Sequence, residues 1–69
     1  MNEKGGRPMT TGEKLVKLRG SKTQKQVADD LGISVAAVSA YENNIRRPRD
    51  KMKKEIAKYF NTSIEKIFF

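Results

Sequence analysis

The chain has no cysteine and no histidine among its 69 residues. Without thiols, neither a disulfide framework nor a thiolate zinc site is available. Without imidazole, the commonest general base and the commonest metal ligand are both missing. The acidic residues are scattered, with no phosphate-cradling glycine loop and no paired catalytic carboxylates, and Ser39 has no base near it in sequence. Enzymatic chemistry therefore has no residues to carry it, and no cofactor is expected. Long apolar runs are lacking too. Lysines and acids interrupt every apolar stretch before the C-terminus, so nothing approaches a membrane span or a signal-peptide core. These absences point to a cytoplasmic, non-enzymatic protein.

Acids are scarce beside bases. Fifteen Lys and Arg face eight Asp and Glu, giving a net charge of +7 and a pI near 10.0. For so short a chain this favours a polyanionic partner, nucleic acid first, with surplus lysine for solubility as the bland alternative. Apolar content is only 36%, but its placement is periodic rather than scattered. A chain of this length makes one domain with a modest core.

The most informative stretch is Thr23 to Asn43, T-Q-K-Q-V-A-D-D-L-G-I-S-V-A-A-V-S-A-Y-E-N. Thr23 can cap a helix with Gln26 three residues on, the spacing of a capping box. Val27, Ala28 and Leu31 then share one helix face. Gly32 can take the positive φ that ends a helix, and Ile33 plugs the corner. Ser34 can cap a second helix, in which Val38 and Tyr41 point the same way. Two short amphipathic helices joined by a tight glycine turn form a helix-turn-helix, whose second helix enters a DNA major groove. The bland alternative is an αα-hairpin with no nucleic acid partner.

Several constraints coincide in Ala28, Gly32, Ile33, Val38 and Tyr41. On these residues the chain resembles a DNA-binding domain of the Cro/phage-repressor type (XRE-like). The likeness runs from about Gly12 to Phe69 and includes Tyr41-Glu42-Asn43, P-R-D, I-A-K-Y-F and S-I-E-K-I-F-F. It implies an all-α, compact, five-helix lambda-repressor-like domain in which helices 2 and 3 form the helix-turn-helix. Residues 1–11, with Gly5, Gly6 and Pro8, read as a flexible arm, and residues 12–69 as the domain. Lys4 or Arg7 on that arm could reach a minor groove, the alternative being plain disorder.

Within residues 12–69, a first helix is expected from about Gly12 to Arg19, with Leu15 and Leu18 facing inward. Asn43-Asn44 stands where the family usually has Asn-Gly, and Asn tolerates the left-handed cap. Asp50 is expected to cap a fourth helix through about Phe60, with Met52, Ile56, Ala57 and Phe60 on its inner face. Ser63 would cap a last short helix that carries Ile64, Ile67 and Phe68 inward. Lys66 sits where a full capping box needs Glu or Gln, so that cap is one-sided. The resemblance also implies an ion pair between Arg19 and Glu42, the alternative being two solvated charges.

The binding chemistry follows from the same comparison. Gln24 opens the second helix, where free N–H groups suit a phosphate, and the family's glutamine binds one through its side-chain amide. Asn43, Arg46 and Arg47 would hold a second phosphate. Base reading falls by helical geometry and family match to Ser34, Val35, Ala36, Ala37, Ser39 and Ala40. None of these is Gln, Arg or Lys, so an A·T-rich site read through thymine methyls and DNA shape is expected. The alternative is a helix that binds backbone without reading sequence. The family usually binds as twofold dimers, which makes an inverted repeat and a homodimer on DNA the expectation. Phe69, with Phe68 or Tyr59, is the candidate dimer contact. The resemblance implies a small bacterial or phage transcriptional regulator, most simply a repressor, in the cytoplasm at the nucleoid. An antitoxin or other protein-interaction module on the same fold is the second reading, disfavoured by the short segment after the fourth helix. No membrane and no small-molecule ligand are expected as partners.

Overall fold

A computed structural model of the protein describes residues 8–69, and among them it has five helices and no strand. They are α1 (Thr11–Arg19), α2 (Gln24–Leu31), α3 (Val35–Glu42), α4 (Asp50–Tyr59) and α5 (Ile64–Phe68). Lys4 and Arg7, the candidate minor-groove residues, lie outside the described residues.

Helix starts follow local chemistry. Thr23 and Gln26 form the expected capping box, with the Gln26 N–H donating to Thr23 Oγ1 at 3.0 Å and the Thr23 N–H to Gln26 Oε1 at 2.8 Å. Ser34 accepts from the Ala37 N–H at 3.0 Å, and Ser63 accepts from Lys66 at 3.3 Å as a one-sided cap. Helix α1 begins one residue earlier than the apolar pattern indicates. Thr10 caps it, and Glu13 returns a bond to the Thr10 N–H at 2.8 Å. Asp50 does not cap α4. Arg49 holds the extended cap position without a side-chain bond, and Asp50 is the first helical residue. Its carboxylate acts by charge at the positive end of the helix instead.

Three helices end alike. Gly32, Asn44 and Asn61 have φ of 72°, 60° and 56°, and the N–H after each returns to a carbonyl of its helix. Ile33 donates to Ala28, Ile45 to Ala40 and Thr62 to Ala57, each at 2.9 Å. Asparagine therefore serves where glycine is usual, as the sequence led one to expect.

The core has two parts. Leu15, Ile56, Ala57 and Ile67 form one, and Val27, Ala28 and Val38 the other. Leu31 and Phe60 pack against both and join them. Leu18 does not face inward; it is 38% exposed. Its turn of α1 presents Gly12, Leu15 and Arg19 (i, i+3, i+7) to the interior, because Arg19 reaches Glu42 on α3. Gly12 permits this close crossing, since a Cβ there would lie 2.1 Å from the Glu42 carbonyl oxygen. Among the described residues no helix is long and apolar enough to cross a membrane.

Candidate nucleic-acid interface

Glu42, the last residue of α3, is the hub of a polar network. Arg19 Nε donates to Glu42 Oε2 at 2.6 Å, and Arg19 Nη2 to Oε1 at 3.2 Å, a forked pair. Gln24 Nε2 donates to the same Oε1 at 2.8 Å. Arg19 Nη1 also donates to the Lys22 carbonyl at 2.8 Å, pinning the α1–α2 turn. The Glu42 side chain is only 6% exposed. Its hydrogen bond raises the Arg19 pKa, against the opposing effect of burial and with help from its charge. The expected Arg19–Glu42 pair is present, and Gln24 is its unforeseen third member.

Gln24 stands at the start of α2, as the sequence indicated, where backbone N–H groups lack intrahelical partners. One N–H of its side-chain amide is engaged by Glu42, which fixes the amide's orientation and leaves the other to point elsewhere.

Ser34, Val35 and Ala36 are exposed together at the start of α3. Ala37 is not on that outer face. It is 8% exposed and belongs to the inner stripe with Val38 and Tyr41. A helix advances about 100° per residue, so the stripe at i, i+1, i+4 takes Ala37 with it. Ser39 and Ala40 sit half-buried on the flanks. Asn43 is exposed, but its amide folds back on its own helix, donating to the Ser39 carbonyl at 2.9 Å and Ser39 Oγ at 3.3 Å.

Arg46 and Arg47 follow in the connection from α3 to α4, both exposed, with buried Pro48 anchoring the segment. They border Tyr41 on two sides. A small recess joins them to Thr11 and Asn44, and a larger cleft joins them to Gly32, Arg49, Lys51 and Glu55. Arg49 and Lys51 were not singled out from sequence, although the run of six basic residues between Ile45 and Lys54 contained the signal. Asn44 was read only as a cap. Its side chain also accepts from the Gly12 N–H at 2.9 Å and donates to Thr10 Oγ1 at 3.1 Å, joining the end of α3 to the start of α1.

The three candidate dimer residues part company. Phe69 is 79% exposed, and Lys53 Nζ lies 5.5 Å from its ring and 5.7 Å from that of half-buried Phe68. Tyr59 is engaged elsewhere. Its hydroxyl donates to Asp30 Oδ2 at 2.6 Å and accepts from Lys22 Nζ at 2.9 Å, which raises the lysine's pKa.

The chain's sequence matches the family described as helix-turn-helix over residues 13–67. No curated protein and no solved structure matches it.

Proposed function

The chain belongs to the helix-turn-helix family of DNA-binding domains, in its Cro/phage-repressor type, and on that premise we propose that it is a sequence-specific transcriptional repressor whose α3 enters the major groove of duplex DNA. The observation that carries this reading is the arrangement along α3. Ser34, Val35 and Ala36 are presented outward. Gln24, opening α2, is held by Glu42 at the other end of α3. Arg46 and Arg47, exposed and in no ion pair among the described residues, follow that same end. Such a layout suits two phosphate contacts that set register, with a short base-reading surface on the same helix.

The chemistry of that surface favours A·T pairs. Val35 and Ala36 can touch thymine methyls, while the Ser34 hydroxyl, already accepting from Ala37, keeps its proton to donate to a base acceptor. Ser39 and Ala40 contribute from the flank. Ala37 is left out of the proposed set because its side chain is buried. Asn43 stays in the proposed phosphate set, contingent on its amide leaving Ser39. The protein acts in the bacterial cytoplasm at the nucleoid, binding as a homodimer on an inverted repeat, with Phe69 and Phe68 as contact.

Selection of bound duplexes from a random DNA library, followed by titration at two salt concentrations, tests this reading. Enrichment of an A·T-rich inverted repeat is expected. Salt-sensitive binding without an enriched motif would remove sequence specificity from the proposal. No binding at low salt would overturn it.

A further inference from the structure

A second surface is left over once the DNA-facing residues are accounted for. Helix α1 has two working faces. Gly12, Leu15 and Arg19 pack inward, while Lys14, Lys17 and Leu18 lie on the opposite side. Between that outer side and α5 runs a groove of about 410 Å³. Its apolar floor comprises Met9 and Leu18, 43% and 38% exposed, with buried Ile67 beneath. Its charged lining residues are Lys14, Lys17 and Lys66, with no acid. None of these lysines forms an ion pair among the described residues. No residue of α2, α3 or the arginine-bearing connection lines the groove.

Two physical oddities therefore coincide. Large apolar side chains remain in water on a small domain, and part of the chain's surplus positive charge stands where the proposed DNA contacts do not reach. Apolar floor with a one-signed rim is the pattern of a helix-in-groove site, in which apolar residues at i, i+3, i+4 and i+7 dock and charges on the flanks pair with the rim. We propose that the α1–α5 groove docks an acidic, amphipathic helix of a partner protein, and that it does so while DNA is bound. The occupant is set by charge complementarity. A second copy of this basic chain does not match a rim made only of lysine, and a lipid surface would need a broad exposed face rather than a groove. The groove thus supplies a means for a protein, rather than a small molecule, to read or modulate the DNA-bound domain.

The test is selection from a phage-displayed library of random peptides of roughly 16 residues against the full chain, with and without a saturating mixed-sequence duplex. Peptides rich in Asp and Glu, with Leu or Phe at helical spacing, are expected with and without DNA. A synthetic copy of the winner should shift the amide resonances of Leu18, Lys17 and Lys66. Replacing the exposed leucine by Leu18→Ser, or reversing the rim with Lys14→Glu, Lys17→Glu and Lys66→Glu, should weaken it by about tenfold or more. The reversed rim should in turn accept a version of the peptide whose acids are lysines. Each variant's helical circular dichroism is compared with that of the parent, so that loss of folding is not mistaken for loss of the site. Winners without acidic bias, full-strength binding to the reversed rim, or displacement by the duplex would each overturn the proposal. Displacement in particular would mean that the peptides mimic DNA on the α2–α3 face, leaving the DNA-binding reading intact.

Discussion

Gln24 and Ala36 make the sharpest pair for testing the interface one residue at a time. In the proposed interface Gln24 meets a phosphate, whereas Ala36, which is exposed, faces the base edges. Gln24→Ala is expected to weaken all duplexes by a similar factor, about 1.5–3 kcal/mol for one hydrogen bond to a charged group. Ala36→Gln, adding a side chain that pairs with adenine, should instead change which sequences win, by about 1–3 kcal/mol at one base position. Competition binding against a panel of duplexes separates the two outcomes. Gly12 makes a different kind of prediction. Because a Cβ there would fall 2.1 Å from the Glu42 carbonyl, Gly12→Ala must push α1 away from α3. A loss of about 3 kcal/mol is expected, read by urea unfolding. Sequence alone disclosed neither this contact nor the second partner of Glu42, Gln24. Both join residues far apart in the chain, and a glycine looks the same whether it is crowded or free.

Local chemistry wrote most of the elements legibly, and its failures are equally local. Caps at Thr23, Ser34 and Ser63 could be read because a hydroxyl precedes an apolar period, and the left-handed ends at Gly32 and Asn44 because few residues tolerate that backbone. The start of α1 was less legible, since its capping box, Thr10 to Glu13, adjoins a stretch rich in glycine. Thr10→Ala should cost about 1 kcal/mol, with a matching fall in melting temperature. Leu18 was misplaced for another reason. An apolar period assigns a face but cannot know that an arginine will occupy it to reach a carboxylate on another helix. Ala37 shows the limit of small residues, which suit a core and a groove surface equally, so only packing decided its side. Asp50 looked like a cap because its type fits, yet the helix takes in one more residue and uses its charge.

For the molecule as a whole, charge sets behaviour. With +7 spread over 69 residues and no histidine, little in the side-chain charge changes near neutral pH, so ionic strength is the variable that governs association. About four to six phosphate contacts per domain predict a slope of roughly −4 to −5 in a plot of log affinity against log salt. Titration at several salt concentrations, with an unrelated duplex alongside, checks this, and a slope near zero would contradict phosphate-driven binding. Charge and composition suggested nucleic acid in the sequence and the helix-turn-helix narrowed it. The lysine-rimmed groove was illegible there, because it is made by α1 and α5 meeting across most of the chain's length.

The bond from Gly12 to Asn44 also gives the molecule a clock. The first amides of a helix usually exchange their hydrogens with solvent quickly, for want of a partner in the preceding turn. Gly12 sits in that first turn, but its N–H is held at 2.9 Å by a side chain from the far end of α3. In deuterated water its signal should therefore persist well beyond that of its neighbour Thr11 and fade together with the amides at the end of α3. Replacing Asn44 by Gly, which keeps the left-handed backbone and removes the acceptor, should release Gly12 to the fast regime. The lifetime of that one proton then measures how often the end of α3 comes loose from α1.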